Sequence, residues 1–141
     1  MGLAVVDASV VVKWFLEELD YEMARRLRED FLEGSLHLRA PAILPFEVLN
    51  ALRHTRAFKQ PDVLRAAESL DRAGLLTVPL IGTYMSRTVE FAYEHGLTID
   101  DSSYAVLAEL QDAPLYTADE ELIDDVGDAD RVKHIRDYVR T

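Results

Sequence analysis

Residues 3–14 read Leu-Ala-Val-Val-Asp-Ala-Ser-Val-Val-Val-Lys-Trp, an apolar run that an aspartate interrupts. A short apolar run with β-branched members is typical of a buried β-strand. We therefore predict a strand over residues 3–6, with Asp7 directly after it. Open parallel sheets carry their binding and catalytic groups at the carboxyl ends of strands, which makes Asp7 a candidate site residue.

Further along the chain, strand-like and helix-like patterns alternate. Gly34, Gly74 and Gly96 follow three of the helical patterns, and glycine commonly ends a helix. The alternation predicts an α/β fold, a three-layer sandwich with a mostly parallel central sheet flanked by helices. The predicted strands cover residues 3–6, 36–40, 75–80, 114–117 and 131–135, and the predicted helices cover residues 21–33, 43–58, 62–73, 83–95, 102–111 and 120–126.

The length and composition exclude several classes of protein. A chain of 141 residues predicts a single domain over residues 1–141. It contains no cysteine, which excludes a disulfide scaffold, a thiolate nucleophile and a zinc site built on sulfur. No apolar run approaches the roughly 20 residues of a membrane span, and the N-terminus lacks a signal-peptide pattern. We therefore expect a cytoplasmic protein.

The charge is strongly negative but unevenly distributed. The chain has 26 acidic and 15 basic residues, so its net charge is −11, which disfavours general binding to nucleic acid unless a local region reverses the sign. Residues 1–75 carry 10 bases against 12 acids, whereas residues 76–141 carry 5 against 14. Arg53, Arg56 and Lys59 are candidate contacts to RNA phosphates. They are equally explained as cations that favour the C-terminal dipole of a helix.

Five acidic residues lie where a catalytic group is expected. Asp7 and Asp119 follow predicted strands, Asp100 and Asp101 precede a largely apolar helix, and Glu47 lies within an apolar helical segment. Taken singly, Asp7, Asp100 and Asp119 are also candidate N-caps. Together at one sheet edge, these carboxylates would repel one another unless a cation bound among them. Mg²⁺ and Mn²⁺ prefer such oxygen ligands, so the pattern favours a divalent-metal site.

Four segments, taken in order, resemble the PIN-domain ribonucleases, and in particular the VapC-type toxins of prokaryotic toxin–antitoxin pairs. Each segment alone is a weak signal, whereas the four in one order at suitable spacing are specific. They are Val-Asp-Ala-Ser-Val-Val-Val-Lys-Trp at 6–14, Pro-Phe-Glu-Val-Leu-Asn-Ala-Leu at 45–52, Asp-Ser-Ser-Tyr-Ala-Val-Leu-Ala at 101–108 and Pro-Leu-Tyr-Thr-Ala-Asp at 114–119.

The resemblance implies an endoribonuclease that depends on Mg²⁺ or Mn²⁺. Residue by residue, the family's acidic metal-binding quartet falls on Asp7, Glu47, Asp101 and Asp119. Two hydroxyls near the site correspond to Ser9 and Thr117, and a polar residue that supports the site helix corresponds to Asn50. The chain departs from the family pattern at Ser102, where alanine is usual, and Asp100 is the alternative to Asp101 as the ligand.

The same resemblance implies partners. VapC-type toxins typically form homodimers, and a VapB-type antitoxin holds them inactive by laying its C-terminal segment in a groove near the site. Phe46, Leu49, Leu52 and Phe58 are candidates for that surface, although core packing explains them equally. Trp14, Tyr104 and Tyr116 are more typical of a core or an interface than of a base-stacking platform, and the histidines show no metal-ligand spacing.

Other functions remain as alternatives. A receiver domain also binds Mg²⁺ in an acidic pocket on a parallel sheet, but it needs a lysine at the end of its fifth strand, and none occurs between positions 60 and 132. A non-catalytic interaction domain with the PIN fold is disfavoured because all four acids are present. A DNA-directed nuclease, or an RNA-processing enzyme without an antitoxin, is the remaining alternative.

Overall fold

A five-stranded parallel sheet forms the centre of the molecule. The computed structural model describes residues 2–139. The strand order is β3-β2-β1-β4-β5, and every neighbouring pair is parallel, which confirms the predicted α/β sandwich. The strands are β1 (Gly2–Val6), β2 (Leu36–Pro41), β3 (Leu76–Val78), β4 (Leu115–Thr117) and β5 (Val132–His134).

Helices cover both faces of this sheet. Because parallel crossovers are right-handed, the connections from β1 to β3 lie on one face and those from β3 to β5 lie on the other. The helices are α1 (Ala8–Val11), α2 (Tyr21–Leu32), α3 (Leu44–Arg53), α4 (Gln60–Ala73), α5 (Gly82–His95), α6 (Ile99–Gln111) and α7 (Glu120–Val126), with short 3₁₀ turns at Val12–Trp14 and Ile135–Asp137. No helix within residues 2–139 has the length and apolar character needed to cross a bilayer.

The order in which the chain adds strands to the sheet reverses between β1 and β4. From β1 it proceeds outward through β2 to β3, then returns to the other side of β1 as β4. The two strands are joined by hydrogen bonds from the Val5 amide to the Pro114 carbonyl oxygen, 2.8 Å, and from the Asp7 amide to the Tyr116 carbonyl oxygen, 3.0 Å. At such a switch point the following loops diverge and leave a crevice at the carboxyl ends of the strands.

The core is densest where α6 crosses the sheet. Ala4, Val5 and Val6 of β1 are buried, and so is every residue of α6 from 102 to 108. This helix packs against β1, β2 and β4 while α5 covers its outer side. Burial on nearly all sides agrees with the predicted largely apolar helix.

Several predicted bounds are corrected. Helix α6 begins at Ile99 rather than at 102, because the Thr98 hydroxyl accepts the Asp101 amide at 3.1 Å and caps the helix. Asp100 is therefore inside the first turn and is not the N-cap. Helix α3 ends at Arg53 rather than at 58, and the polar side chain of Thr55 bonds back to the Ala51 carbonyl oxygen. The sequence indicates a helix after Asp7 but not its bounds, and the structure has α1 and a 3₁₀ turn there.

Candidate functional site

Asp7 is held by two hydroxyls at the junction of β1 and β4. Thr117 Oγ1 donates to Asp7 Oδ2 at 2.7 Å, and Ser9 Oγ donates to the same oxygen at 3.0 Å. Ser9 Oγ in turn accepts the Ala118 amide at 2.9 Å. Asp7 occupies the N-cap position of α1 but makes no side-chain cap hydrogen bond, so the capping interpretation is wrong for this residue.

Glu47 faces the same crevice from the first turn of α3. Its Oε1 accepts the Tyr104 hydroxyl at 2.6 Å. Tyr104 is itself buried in α6, with 1% of its surface exposed. The contact joins α3, on one face of the sheet, to α6, on the other, across the end of the sheet. It orients Glu47 and leaves one carboxylate oxygen free of that bond.

Asp101 lies in the first turn of α6 and is partly buried, whereas Asp100 beside it is exposed. Burial raises the pKa of Asp101, and the negative charges of Asp7 and Asp119 raise it further. Asp101 is therefore within electrostatic reach of both strand-end acids. This placement favours Asp101 over Asp100 as the site carboxylate, although Asp100 also lies near enough to raise the pKa of Glu47.

Asp119 combines two roles. Its Oδ1 accepts the amides of Glu121 at 3.0 Å and Leu122 at 3.3 Å, so the capping interpretation is correct for this residue. The cap fixes the carboxylate at the start of α7, beside the end of β4. Its effect on the pKa of Asp101 shows that it also contributes negative charge to the crevice.

The site carboxylates lack cationic partners. Burial raises the pKa of Asp7, although the Thr117 and Ser9 hydrogen bonds oppose the increase. Burial likewise raises the pKa of Glu47, with further increases from the charges of Asp7, Asp100 and Asp101. None of the ion pairs within residues 2–139 includes any of these acids or Asp119. Negative charge is thus concentrated in a partly buried place without neutralisation.

The donor set fits a hydrated hard cation. Within the described part of the chain, no three His, Cys, Asp or Glu side chains are grouped so that they could hold a metal ion by themselves. Mg²⁺ typically keeps several waters and binds through one or two carboxylates, completing its shell with substrate oxygens. Asp7, Glu47 and Asp101 offer that kind of partial, all-oxygen shell, and their mutual repulsion favours a bound cation.

The remaining predicted residues lie around this crevice. Asn50 is exposed on α3 one turn after Glu47, and its side chain makes no hydrogen bond within residues 2–139, so nothing in the structure gives it a supporting contact. Arg53, Arg56 and Lys59 are all exposed; Arg53 ends α3, and the other two lie in the connection from α3 to α4. Among the apolar candidates for a partner surface, Phe46 is 72% exposed, whereas Leu52 is fully buried in the core. Leu52 is therefore removed from that surface.

Sequence reasoning missed the contact that Tyr104 makes with Glu47. Tyr104 was interpreted as a core aromatic, and it is one, together with Trp14 and Tyr116. Its position three residues after Asp101 places both on one face of α6, which is the signal that could have linked it to the site. The partner residue lies 57 positions earlier in the chain, so the contact itself has no local signature.

Known protein structures share this fold. The chain resembles the Pyrobaculum aerophilum protein PAE2754, with 21% identity over 95% of this chain and 90% of that chain, and a TM-score of 0.66. It also resembles VapBC-5 of the VapBC family of toxin–antitoxin systems from Mycobacterium tuberculosis, with 20% identity, 96% and 99% coverage and a TM-score of 0.60. A toxin–antitoxin complex from Klebsiella pneumoniae matches with 17% identity, 94% and 97% coverage and a TM-score of 0.66.

At these identities the likeness establishes the fold alone. No curated protein sequence matches the chain. A protein-family model settles the assignment, because the PIN domain matches residues 4–128, a span that includes β4, the last three residues of β1 and all four candidate site carboxylates. This chain therefore belongs to the PIN domain family, whose members are nucleases.

Proposed function

We propose that this protein is a Mg²⁺- or Mn²⁺-dependent endoribonuclease and the toxin of a VapBC-type toxin–antitoxin pair. The proposal treats residues 1–141 as one nuclease domain that acts on RNA in the cytoplasm, as a homodimer under the control of a VapB-type antitoxin. Membership of the PIN domain family supports nuclease chemistry. The toxin–antitoxin systems from M. tuberculosis and K. pneumoniae among the structures of the same fold support the antitoxin partner.

One observation carries the chemical part of the proposal. Asp7, Glu47 and Asp101 lie within electrostatic reach of one another near the switch point of the sheet. Burial raises the pKa of all three, repulsion between the acids adds to the increase for Glu47 and Asp101, and no described Lys or Arg pairs with them. A purely structural role would neutralise such charges or expose them to water. A divalent cation that arrives with the substrate provides the missing positive charge.

Each carboxylate has a distinct part in the proposed site. Asp7, Glu47 and Asp101 hold the ion, directly or through water, and Asp119 completes the cluster or orients the attacking water. A bound Mg²⁺ or Mn²⁺ supplies polarisation of a phosphodiester oxygen and activation of a water. The water adds to phosphorus, the bond to the leaving 3′ oxygen breaks, and that oxygen takes up a proton.

Neighbouring hydroxyls fix the geometry of these acids. Thr117 and Ser9 donate to Asp7 Oδ2 and so fix the orientation of this carboxylate. Tyr104 does the same for Glu47 through Oε1. Because these donors stabilise the ionised carboxylates, they oppose the increase in pKa that burial causes at both acids.

The test is cleavage of total cellular RNA by the purified chain, freed of any co-purified partner. We expect cleavage with Mg²⁺ or Mn²⁺, none with EDTA, and none for Asp7→Asn. The adjacent acids provide a matched pair, since Asp101→Asn is expected to abolish cleavage and Asp100→Asn to retain it.

Two results would contradict the proposal. Cleavage that persists in EDTA or in Asp7→Asn would come from another site or from a contaminant. Absence of Mn²⁺ binding to the wild-type chain by calorimetry would remove the metal site and favour the non-catalytic interaction domain.

A further inference from the structure

Basic residues are concentrated in one segment of this acidic chain. Residues 53–65 contain Arg53, Arg56, Lys59 and Arg65 but only one acid, Asp62. That acid is already engaged, because it pairs with Arg65 at 2.5 Å and accepts the Lys59 amide at 2.8 Å. The segment therefore carries a local positive charge in a protein whose net charge is −11.

Two hollows on this surface share one aromatic side chain. The first lies between α2 and α4; its lining includes Phe15, Arg28 and Phe58 together with the Asp62–Arg65 ion pair. The second lies where α3 leads into α4 and is lined by Arg53, Phe58, Lys59 and Val63. Phe58 is partly exposed between them, with cations on both sides.

Arg28 is the most unusual cation of this group. It is partly buried, its guanidinium lies 5.8 Å above the Trp14 ring, and its Nη2 donates to Ser69 Oγ at 3.3 Å. Its Nε is buried and has no acceptor, and no carboxylate within residues 2–139 forms an ion pair with it. Holding a guanidinium in place without a counterion is unfavourable, so the arrangement favours an incoming anion.

We propose that Arg28, Arg53 and Lys59, which lie around Phe58 and are here named the cationic band, bind a single-stranded stretch of the substrate RNA. The phosphates pair with these three cations, and one base stacks on Phe58. A cationic groove with an exposed aromatic is the usual means of holding single-stranded nucleic acid. This inference rests on the proposed function and specifies the surface that presents the RNA.

The position of the cationic band fits an RNA chain that continues into the carboxylate site. Glu47 lies in the first turn of α3 and Arg53 ends the same helix, six residues later. At 1.5 Å per residue, the two lie about 9 Å apart along the helix axis. The basic end of α3 is therefore less than two helical turns from Glu47 along the helix axis.

Binding is measured separately from cleavage. The probe is a labelled, unstructured RNA of about 12 nucleotides, whose affinity is followed by fluorescence anisotropy in EDTA over a range of salt concentrations. The test variant combines Arg28→Gln, Arg53→Gln and Lys59→Gln. The matched control is Arg26→Gln, because Arg26 is exposed on α2, two residues from Arg28 and on the opposite side of the helix.

We expect the triple variant to bind at least about tenfold more weakly, with the slope of log K against log salt reduced by up to about 2, at roughly 0.7 per phosphate contact. Phe58→Ala weakens binding without changing this slope, and Phe58→Trp restores it. Arg26→Gln binds as the wild type does. Because Arg28 packs on Trp14, the double variant Arg53→Gln/Lys59→Gln, at two exposed positions, repeats the test if the triple variant fails to fold.

The proposal is overturned if the triple and double variants bind RNA with the wild-type affinity and salt slope, a result that would exclude the cationic band from RNA binding. It is also overturned if Arg26→Gln causes an equal loss. Failure of the proposed function has a different signature, since a chain that never cleaves RNA with Mn²⁺ can still show binding that depends on the cationic band.

Discussion

The surface of α5 and α6 and the crevice at the end of β1 and β4 are both rich in acids, but only the surface neutralises them. On the surface, Arg87 lies 3.1 Å from Glu94, 3.3 Å from Glu109 and 3.7 Å from Glu90. In the crevice, Asp7, Glu47 and Asp101 have hydroxyl and amide neighbours but no ion pair within the described residues. Acidic side chains are therefore paired with an arginine on the surface and left without a cationic partner in the crevice.

The difference shows that the overall negative charge of the chain does not explain why the crevice acids lack cationic partners. The surface glutamates are well solvated, with 43–65% of their side chains exposed, so water alone could stabilise them. The crevice acids are partly buried, and their pKa values are raised. Arginine thus lies beside the acids that need it least, and the proposed cation would supply the positive charge that the buried acids lack.

The largest expected effect is that of Asp7→Asn on the metal-dependent reaction. Asparagine keeps an acceptor for Thr117 and Ser9 but removes the charge, so we expect the cleavage rate to fall by more than the roughly 100-fold that follows loss of an outer-sphere partner. Mn²⁺ at about 100 times its Kd should add about 2.7 kcal/mol to the free energy of unfolding of the wild type. Thermal unfolding with and without Mn²⁺ checks whether Asp7→Asn loses this increment. An equal increment in both proteins would place the ion elsewhere.

The next effect distinguishes the Tyr104 hydroxyl, which contacts Glu47 in the crevice, from the Tyr84 hydroxyl, which lies in the core. Tyr104→Phe removes the donor to Glu47, and we expect a loss of about 10- to 100-fold in the cleavage rate. Tyr84→Phe is the control, because the Tyr84 hydroxyl donates to the Ser103 carbonyl oxygen at 2.7 Å and burial raises its pKa to about 12. Both variants should lose about 1 kcal/mol of unfolding free energy. Equal cleavage rates in the two variants would refute the role of Tyr104.

A smaller effect concerns the pH dependence of the metal-free protein. A carboxyl whose pKa is higher in the folded state than in the unfolded state holds its proton longer when folded, so its contribution to stability falls as the pH rises above its ordinary value, 3.8 for Asp7. Glu120 has the opposite sign, since Arg136 lowers its pKa and its contribution is lost as the pH falls. Urea unfolding of the wild type and Asp7→Asn from pH 4 upward should show a stability difference that moves in favour of the variant. A constant difference would contradict this assignment.

The smallest effect is expected on the surface. Arg87→Gln removes three exposed ion pairs, each of which contributes at most about 1 kcal/mol. We expect a small decrease in the unfolding free energy, weaker still at high salt, and an unchanged cleavage rate. Chemical unfolding at two salt concentrations together with the RNA assay provides the check. A large loss of cleavage would mean that the surface arginines act on the crevice and that the two regions are not independent.

The sequence predicted the fold well because the alternation of apolar strands and amphipathic helices is a local pattern. It predicted bounds less well where a single hydrogen bond decides them. The segment Thr98-Ile99-Asp100-Asp101 carries the spacing of a threonine cap followed by an acid, a signal that α6 starts at Ile99. The capping preference of aspartate was the competing signal, and it was correct for Asp119 but wrong for Asp7 and Asp100.

Local pattern also predicted some residues of the candidate site better than others. Asp7 and Asp119 were expected near each other because both follow strands of one parallel sheet. Glu47 and Asp101 joined them through the resemblance to PIN-domain nucleases, since neither lies at a strand end. The cations around Phe58 were only partly foreseen, because Arg28 belongs to α2 and reaches the others through the packing of α2 on α4.

By itself, the sequence determined the α/β layering and the acidic character and named the candidate carboxylates, because periodicity, charge and motif spacing are properties of neighbouring residues. Only the tertiary structure decided which acid oxygens are held, that Tyr104 bonds to Glu47, and that Arg28 has no counterion. These contacts join residues up to 110 positions apart. Their distances and burial depend on how the helices pack across the sheet, which no local pattern encodes.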